Sequence, residues 1–349
     1  MESELESWQI TDFNLNDNQL KIDKLGLIKI IRSDDGILTL VSDANYGVID
    51  HEKPSPAKFA NNDSILGFIL DIGIRREKVL ASGHGFYFGR SIIRPQSSKI
   101  ISQNDFDEEL FEKISDIINS KYQSNNKQEE TEAIRLRFLF DTYNNARLLF
   151  PNFLSESYLN LLRIIDALSV KRHAESFALF AAMISSDLND AIYNKVNIIE
   201  GYKDRIDYAA DLFKNLMEKK NIERSCKAEM GKLNDKGKFI FSCFYVAYQY
   251  RNKFVHLGFP FPDTVKNSYG LKDGSGTAFL NPALGIYWRK VYRPNGIEDG
   301  DLIDIHQFMP DEEEAQKFKD EYFKLLPTWH FVKQLTREAL RKKIINESK

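Results

Sequence analysis

The sequence predicts an α+β protein. A small β-rich N-terminal domain (1–102) is followed by a helix and polar linker (103–130), then an all-α helical bundle (131–349) with a β-hairpin inserted at about 258–308. Three observations predict this. Short β-branched runs separated by turn residues fill the first hundred positions. The texture changes near "SQNDFDEEL", after which apolar residues recur at helical spacing. One stretch rich in Gly, Pro and Asn interrupts that spacing before helix resumes. At 349 residues the chain suits two domains, or one domain with a large extension.

In order, "LIKIIRS" and "GILTLVS" flank "DDG", a hairpin signal. "SILGFILDIGI", "KVLASG" and "FYFGRSIIR" read as further strands, with punctuation at "EKPSPAK" and Pro95, and suggest a small sandwich or barrel. Asp105 or Asp107 is placed to cap a helix whose apolar positions are Phe106, Leu110, Phe111, Ile114, Ile117 and Ile118. The polar stretch "NSKYQSNNKQEETE" reads as a loop and hinge. "EAIRLRFLFDTYNNARLLF" reads as a helix bounded by Pro151. "SESYLNLLRIIDALSV" is amphipathic, with Tyr158, Leu161, Leu162, Ile165 and Leu168 on one face. "AESFALFAAMISSDL" is almost wholly apolar and short, which predicts a buried helix, and "DRIDYAADLFKNLMEKK" is amphipathic again. "DKGKFIFSCFYVAYQYRNKFVH" predicts a long apolar helix. "GIYWRKVYR" and "DLIDIHQF", around "PNG", form the expected inserted hairpin or lid. Asp311 is a candidate N-cap for "DEEEAQKFKDEYFKLL", and Pro327 marks a boundary before "WHFVKQLTREALRKKI".

Composition excludes several classes. Hydrophobic residues make up 42% and charged residues 28%, an ordinary globular balance. With 25 Phe and 15 Tyr, aromatic packing should carry much of the core. The two cysteines, Cys226 and Cys243, lack CxxC spacing, which argues against a disulfide framework or structural zinc and fits reduced thiols in the cytoplasm. No run of about 18 apolar residues occurs, and the acidic start "MESELESWQI" reads as neither signal peptide nor anchor. No membrane partner is expected. The net charge of −3 hides an acidic excess before residue 130 and a small basic excess after it. The basic part permits contact with a polyanion without demanding it.

One stretch carries candidate chemistry. "FYVAYQYRNKFVHLGFPFP", residues 244–262, places Arg251, Asn252 and His256 near the end of the long apolar helix, with Gly258 and Pro260 as stop signals. Asn252 and His256 are four apart and face the same way. Arg251 sits about 100° round from Asn252. The three converge only if the helix ends or kinks here, or if a second chain completes the site. The spacing alone is weak evidence, and the context strengthens it.

The arrangement Arg251-Asn252-x-x-x-His256-x-Gly258 resembles the Arg-x4-His signature of HEPN domains, all-helical and often metal-independent ribonucleases. The flanking pattern looks most like the Apea-type branch, in which an upstream amphipathic helix such as "YLNLLRIIDALS" precedes a buried helix and then the Arg-Asn…His-Gly helix. The resemblance covers roughly residues 135–345. One departure is that family members often carry a glutamate in the upstream helix, near where this chain has Asp166 or its neighbours. The resemblance implies an endoribonuclease with Arg251, Asn252 and His256 as catalytic residues. It also implies an RNA substrate, no cofactor or metal, a homodimer or higher oligomer that brings two copies of the motif together, and a toxin or effector role in prokaryotic defence. The residue types suit the reaction. RNA supplies its own nucleophile, the 2′-hydroxyl. A histidine can transfer protons near neutral pH, and an arginine is a planar donor to a phosphate gaining charge.

Other readings stay open. Arg251 and Asn252 could be helix-end residues and His256 an ordinary surface or core histidine. A catalytically dead HEPN dimer, acting as sensor or scaffold, would look much the same. The segment "ASGHGFYFGRS" holds Gly83, Gly85 and Gly89 with His84 and Arg90, without dinucleotide or Walker spacing; a bulged strand pair is expected there, with a ligand pocket as the alternative. The N-terminal domain is expected to sense a trigger or bind a regulatory partner. His51, His173, His306 and His330 are scattered and read as structural. The basic run "REALRKKI" reads as a solvated helix face, with RNA backbone as a secondary contact.

Overall fold

The fold comes from a computed structural model, which describes residues 62–76, 106–150, 153–169, 173–186, 206–259, 261, 309–322 and 325–347. Over the described residues the chain is 82% helical, with one short strand, Gly73–Arg76, and no sheet. This corrects the expected α+β class: the protein is helical, and the small β-rich domain at 1–102 is not seen. The expected strands "LIKIIRS", "GILTLVS" and "KVLASG", the glycine-rich segment with His84 and Arg90, and most of the insertion at 258–308 lie outside the described residues.

The run "SILGFILDIGI" shows why the strand reading failed. Most of it forms helix α1, Asn62–Leu70. Ile65, Leu66, Phe68, Ile69 and Leu70 are all buried. An apolar run buried on every side has no amphipathic period, so its sequence cannot tell helix from strand. The helix stops at Asp71, a non-glycine residue at φ 57. Two backbone hydrogen bonds close it: Ile72 N–H donates to Gly67 O (2.9 Å) and Asp71 N–H to Phe68 O (3.3 Å), the Schellman pattern.

Backbone contacts divide the chain into two compact units, residues 1–148 with 344–349, and 149–343. Helices α2, Glu108–Gln123, and α3, Lys127–Leu149, follow α1. Asp107 caps α2 as expected, its Oδ1 accepting from Leu110 N–H at 3.0 Å. The expected polar linker shrinks to residues 124–126. Ser124 Oγ accepts from Asn126 N–H, and Asn126 Oδ1 accepts from Gln128 N–H, so residues that read as loop serve as a tight turn and a helix cap.

In the first unit, Phe68 packs edge-on to Phe140 and Tyr143 of α3. Asp71 is buried and accepts from Tyr143 Oη–H at 2.6 Å, with Arg147 Nε at 3.4 Å. The Asn144 side chain exchanges two 2.8 Å hydrogen bonds with the backbone of Ile74, as a neighbouring strand would. Gly67 permits this approach: a Cβ there would lie 2.7 Å from Asn144 Oδ1.

The second unit contains α4, Leu154–Leu168, α5, Ala174–Ser185, α6, Ile206–Glu218, α7, Arg224–Met230, and α8, Asp235–Leu257. Later come α9, Glu312–Gln316, which runs into a π-helical turn, Lys317–Tyr322, and α10, Trp329–Glu347. Asn234 caps α8, its Oδ1 accepting from Gly237 N–H at 2.8 Å. Helix α8 packs on α5 and α6, through Phe244 and Tyr248 on Phe177 and through Phe241 on Phe213. Trp329 stacks on Phe150 and donates Nε1–H to Ser157 Oγ at 2.8 Å. Among the described residues no helix is long and apolar enough to cross a membrane.

The Asp71 cluster makes a prediction. Asp71→Gly relieves the positive φ yet leaves Arg147 buried without its carboxylate. A net loss of about 2–4 kcal/mol in urea unfolding is expected. Asp71→Asn, which tolerates the same backbone and still accepts from Tyr143, should lose less than half of that.

Candidate functional site

Helix α8 changes character along its length. Phe239 to Tyr248, and Tyr250, are buried; Arg251 to Phe254 are half-buried; Val255 to Gly258 are exposed. The candidate residues therefore sit where a core helix leaves the core. Gly258 ends it at φ 70, donating its N–H to Phe254 O at 2.9 Å. The chain then turns back. Phe259 is buried near Tyr250 and Phe318, and Phe261 stacks on Tyr158 while its N–H donates to Ser155 Oγ at 3.1 Å.

Arg251 is held on three sides. One terminal nitrogen donates to Asp166 Oδ2 at 3.1 Å, and the other to Asn252 Oδ1 at 2.9 Å. The guanidinium lies 5.2 Å from the centre of the Tyr248 ring, within cation–π range. The Arg251 side chain is 25% exposed and that of Asp166 14%, so both charges are largely out of water. The other Asp166 oxygen, Oδ1, is buried with no hydrogen-bond donor among the described residues. Two of the five donors of the guanidinium are engaged by these contacts.

The structure thus brings Arg251 and Asn252 together and adds Asp166, 85 residues earlier in the chain. His256 follows one helical turn after Asn252, on the exposed end of α8, and among the described residues it has no hydrogen-bond or ion-pair partner. Val255 and Leu257 flank it, 47% and 43% exposed. Lys253, also in the motif, is bound by Glu314 at 2.6 Å and lies 5.8 Å from the centre of the Phe318 ring, so it fastens α8 to α9 and the π-helical turn. No spacing rule joins Asp166 to Arg251. Asp166 is one of two carboxylates on α4, the other being Glu156 in its first turn, so helix composition does not single it out.

Of the remaining sequence candidates, Cys243 is buried, Cys226 is partly exposed, and neither forms a disulfide. His330 packs edge-on to Phe150 and Trp329. Burial, with Glu175 as the second cause, pushes the Tyr245 phenol up to about 12, so it stays protonated in the core.

Comparison with known protein families, with curated proteins and with solved structures finds no match.

Two outcomes are expected. Asp166→Ala strands the Arg251 charge and should cost about 1–3 kcal/mol in urea unfolding, while the Asp166→Ala/Arg251→Ala double variant recovers part of that cost. Gly258→Ala meets open space, since no atom lies within 4 Å of the added Cβ. Its cost is backbone strain alone, about 1 kcal/mol.

Proposed function

We propose that the protein is an endoribonuclease of the HEPN type, an effector in prokaryotic defence, acting at Arg251, Asn252 and His256. One observation carries this reading. The arginine of the motif is fixed by Asp166 and Asn252 at the emerging end of a core helix, with an exposed histidine one turn further on. A structural arginine needs no exposed histidine beside it, and a surface histidine needs no pre-set guanidinium. The family itself rests on the motif and the order of helices, in the absence of a matching relative.

The chemistry needs no group beyond substrate and side chains. A base removes the 2′-hydroxyl proton, and O2′ attacks phosphorus. The P–O5′ bond then breaks, and the departing O5′ takes a proton. The products are a 2′,3′-cyclic phosphate and a 5′-hydroxyl. Arg251 neutralises the charge that builds on the phosphate, and its fixed orientation saves reorganisation at that moment. His256 transfers protons. Asn252, whose Oδ1 is taken by Arg251, keeps its amide hydrogens for a phosphate oxygen.

A homodimer belongs to the same reading. Val255 and Leu257 supply apolar surface beside His256, where a second copy would bring its own motif. The rival reading is a non-catalytic dimer that serves as sensor or scaffold. The occupied guanidinium favours it, since Arg251 must share its donors between Asp166, Asn252 and any phosphate.

The test is cleavage of total cellular RNA in excess EDTA, wild type beside His256→Ala. Wild-type cleavage with 5′-hydroxyl ends, lost by at least about a hundredfold in the variant, is the expected result. Equal cleavage by both would place the activity elsewhere, and intact dimers without cleavage would favour the scaffold. Val255→Asp with Leu257→Asp should yield monomers by light scattering and abolish cleavage together with dimerisation.

Regulation by the N-terminal region is part of the proposal. Removing residues 1–102 would also delete α1 and leave Arg147 without Asp71, so the informative deletion stops before Asn62. Loss of control over cleavage is expected; unchanged control would remove the N-terminal region from the regulatory role.

A further inference from the structure

Helix α4 carries a second arginine one turn before Asp166. Arg163 is exposed, while Leu161, Leu162, Ile164 and Ile165 around it are buried. An arginine three residues from a carboxylate on a helix ordinarily pairs with it. Here the pair does not form. Asp166 Oδ2 accepts from Arg251 at 3.1 Å, and Oδ1 is buried with no donor among the described residues. A long side chain on a helix leans toward the N-terminus, which carries Arg163 away from Asp166. It donates instead to Asn160 Oδ1 at 3.4 Å, a long hydrogen bond to a neutral acceptor. Among the described residues Arg163 has no carboxylate partner, and most of its five donors stay open to solvent.

We infer that Arg163 holds a second phosphate of the RNA strand, next to the one that Arg251 contacts. The inference rests on the ribonuclease reading and extends it to a substrate-binding residue outside the motif. The two arginines divide the work. Arg251 is oriented by Asp166 and Asn252, and those contacts occupy part of its fork. Arg163 is unfixed and its fork is largely open, so it trades the weak Asn160 bond for a charge-assisted one to phosphate. The rise along α4 from Arg163 to Asp166 is about 4.5 Å, short against the reach of an arginine side chain, so one strand can touch both guanidiniums. Such a contact reads backbone. It favours a strand over a mononucleotide and carries no base preference.

Fluorescence anisotropy of the full chain tests it with a labelled single-stranded 2′-O-methyl oligoribonucleotide, which lacks the nucleophile and stays intact, over a series of salt concentrations. Arg163→Gln should weaken binding about fivefold and flatten the slope of log affinity against log salt by about 0.7, the share of one phosphate on a single strand. Arg163→Lys keeps the charge and should hold the slope. Arg224→Gln, at an exposed arginine on α7, should change neither. With unmodified RNA, Arg163→Gln should raise KM while kcat stays within about twofold. Failure of the ribonuclease reading shows separately, as a wild type that binds the strand without cleaving RNA; the slope then decides for Arg163 alone. Four results would overturn the inference: no binding of the strand by wild type, unchanged affinity and slope in Arg163→Gln, an equal loss in Arg224→Gln, or a fall in kcat at unchanged KM.

Discussion

The ion pair between Asp166 and Arg251 is the constraint around which the second unit is organised. Helix α8 is largely apolar and buried from Phe239 to Tyr250, so the first charged side chain after that core, Arg251, is compensated where the helix begins to leave it. Asp166, near the end of α4, supplies the compensation at 3.1 Å. That requirement fixes the register of α4 against α8. The same alignment brings Tyr158 of α4 against Phe261, beyond the end of α8. Pairing, aromatic stacking and the turn at Gly258 are thus consistent with a single arrangement of two helices.

The pair also shapes what the motif can do. A guanidinium anchored on two sides and shielded by Tyr248 is oriented before any anion arrives. Its neighbour His256 is left exposed on a helix end with apolar residues on either side. Arg251 is thus a half-buried, oriented cation one helical turn from an exposed histidine. Among the described residues, nothing holds His256 against Arg251.

The first unit solves a parallel problem differently. There the charge is on a turn. Asp71 ends α1 in a left-handed conformation, and Tyr143 and Arg147 of α3 converge on its carboxylate. Asn144 meanwhile pairs with the Ile74 backbone. Residues beyond position 130, assigned from sequence to the helical domain, therefore complete the hydrogen bonding of a turn near position 70.

Helix identity, caps and breaks were legible wherever sequence carried a local signal. Asp107, Asp311 and Gly258 occupy the positions their types predict, because capping is settled within a few residues. Arg251, Asn252 and His256 were legible as a group because one helix carries all three. The α1 segment was misread because burial on every side erases the period that separates helix from strand, and residues 119–132 because a polar helix face and a loop share composition. Asp166 as the partner of Arg251 and Asn144 as a surrogate strand depend on contacts between segments 85 and 70 residues apart. Local sequence determined which residues could cap, break or donate; only tertiary packing decided which of them meet, because long-range partners are selected by burial and charge compensation and leave no periodic trace in the chain.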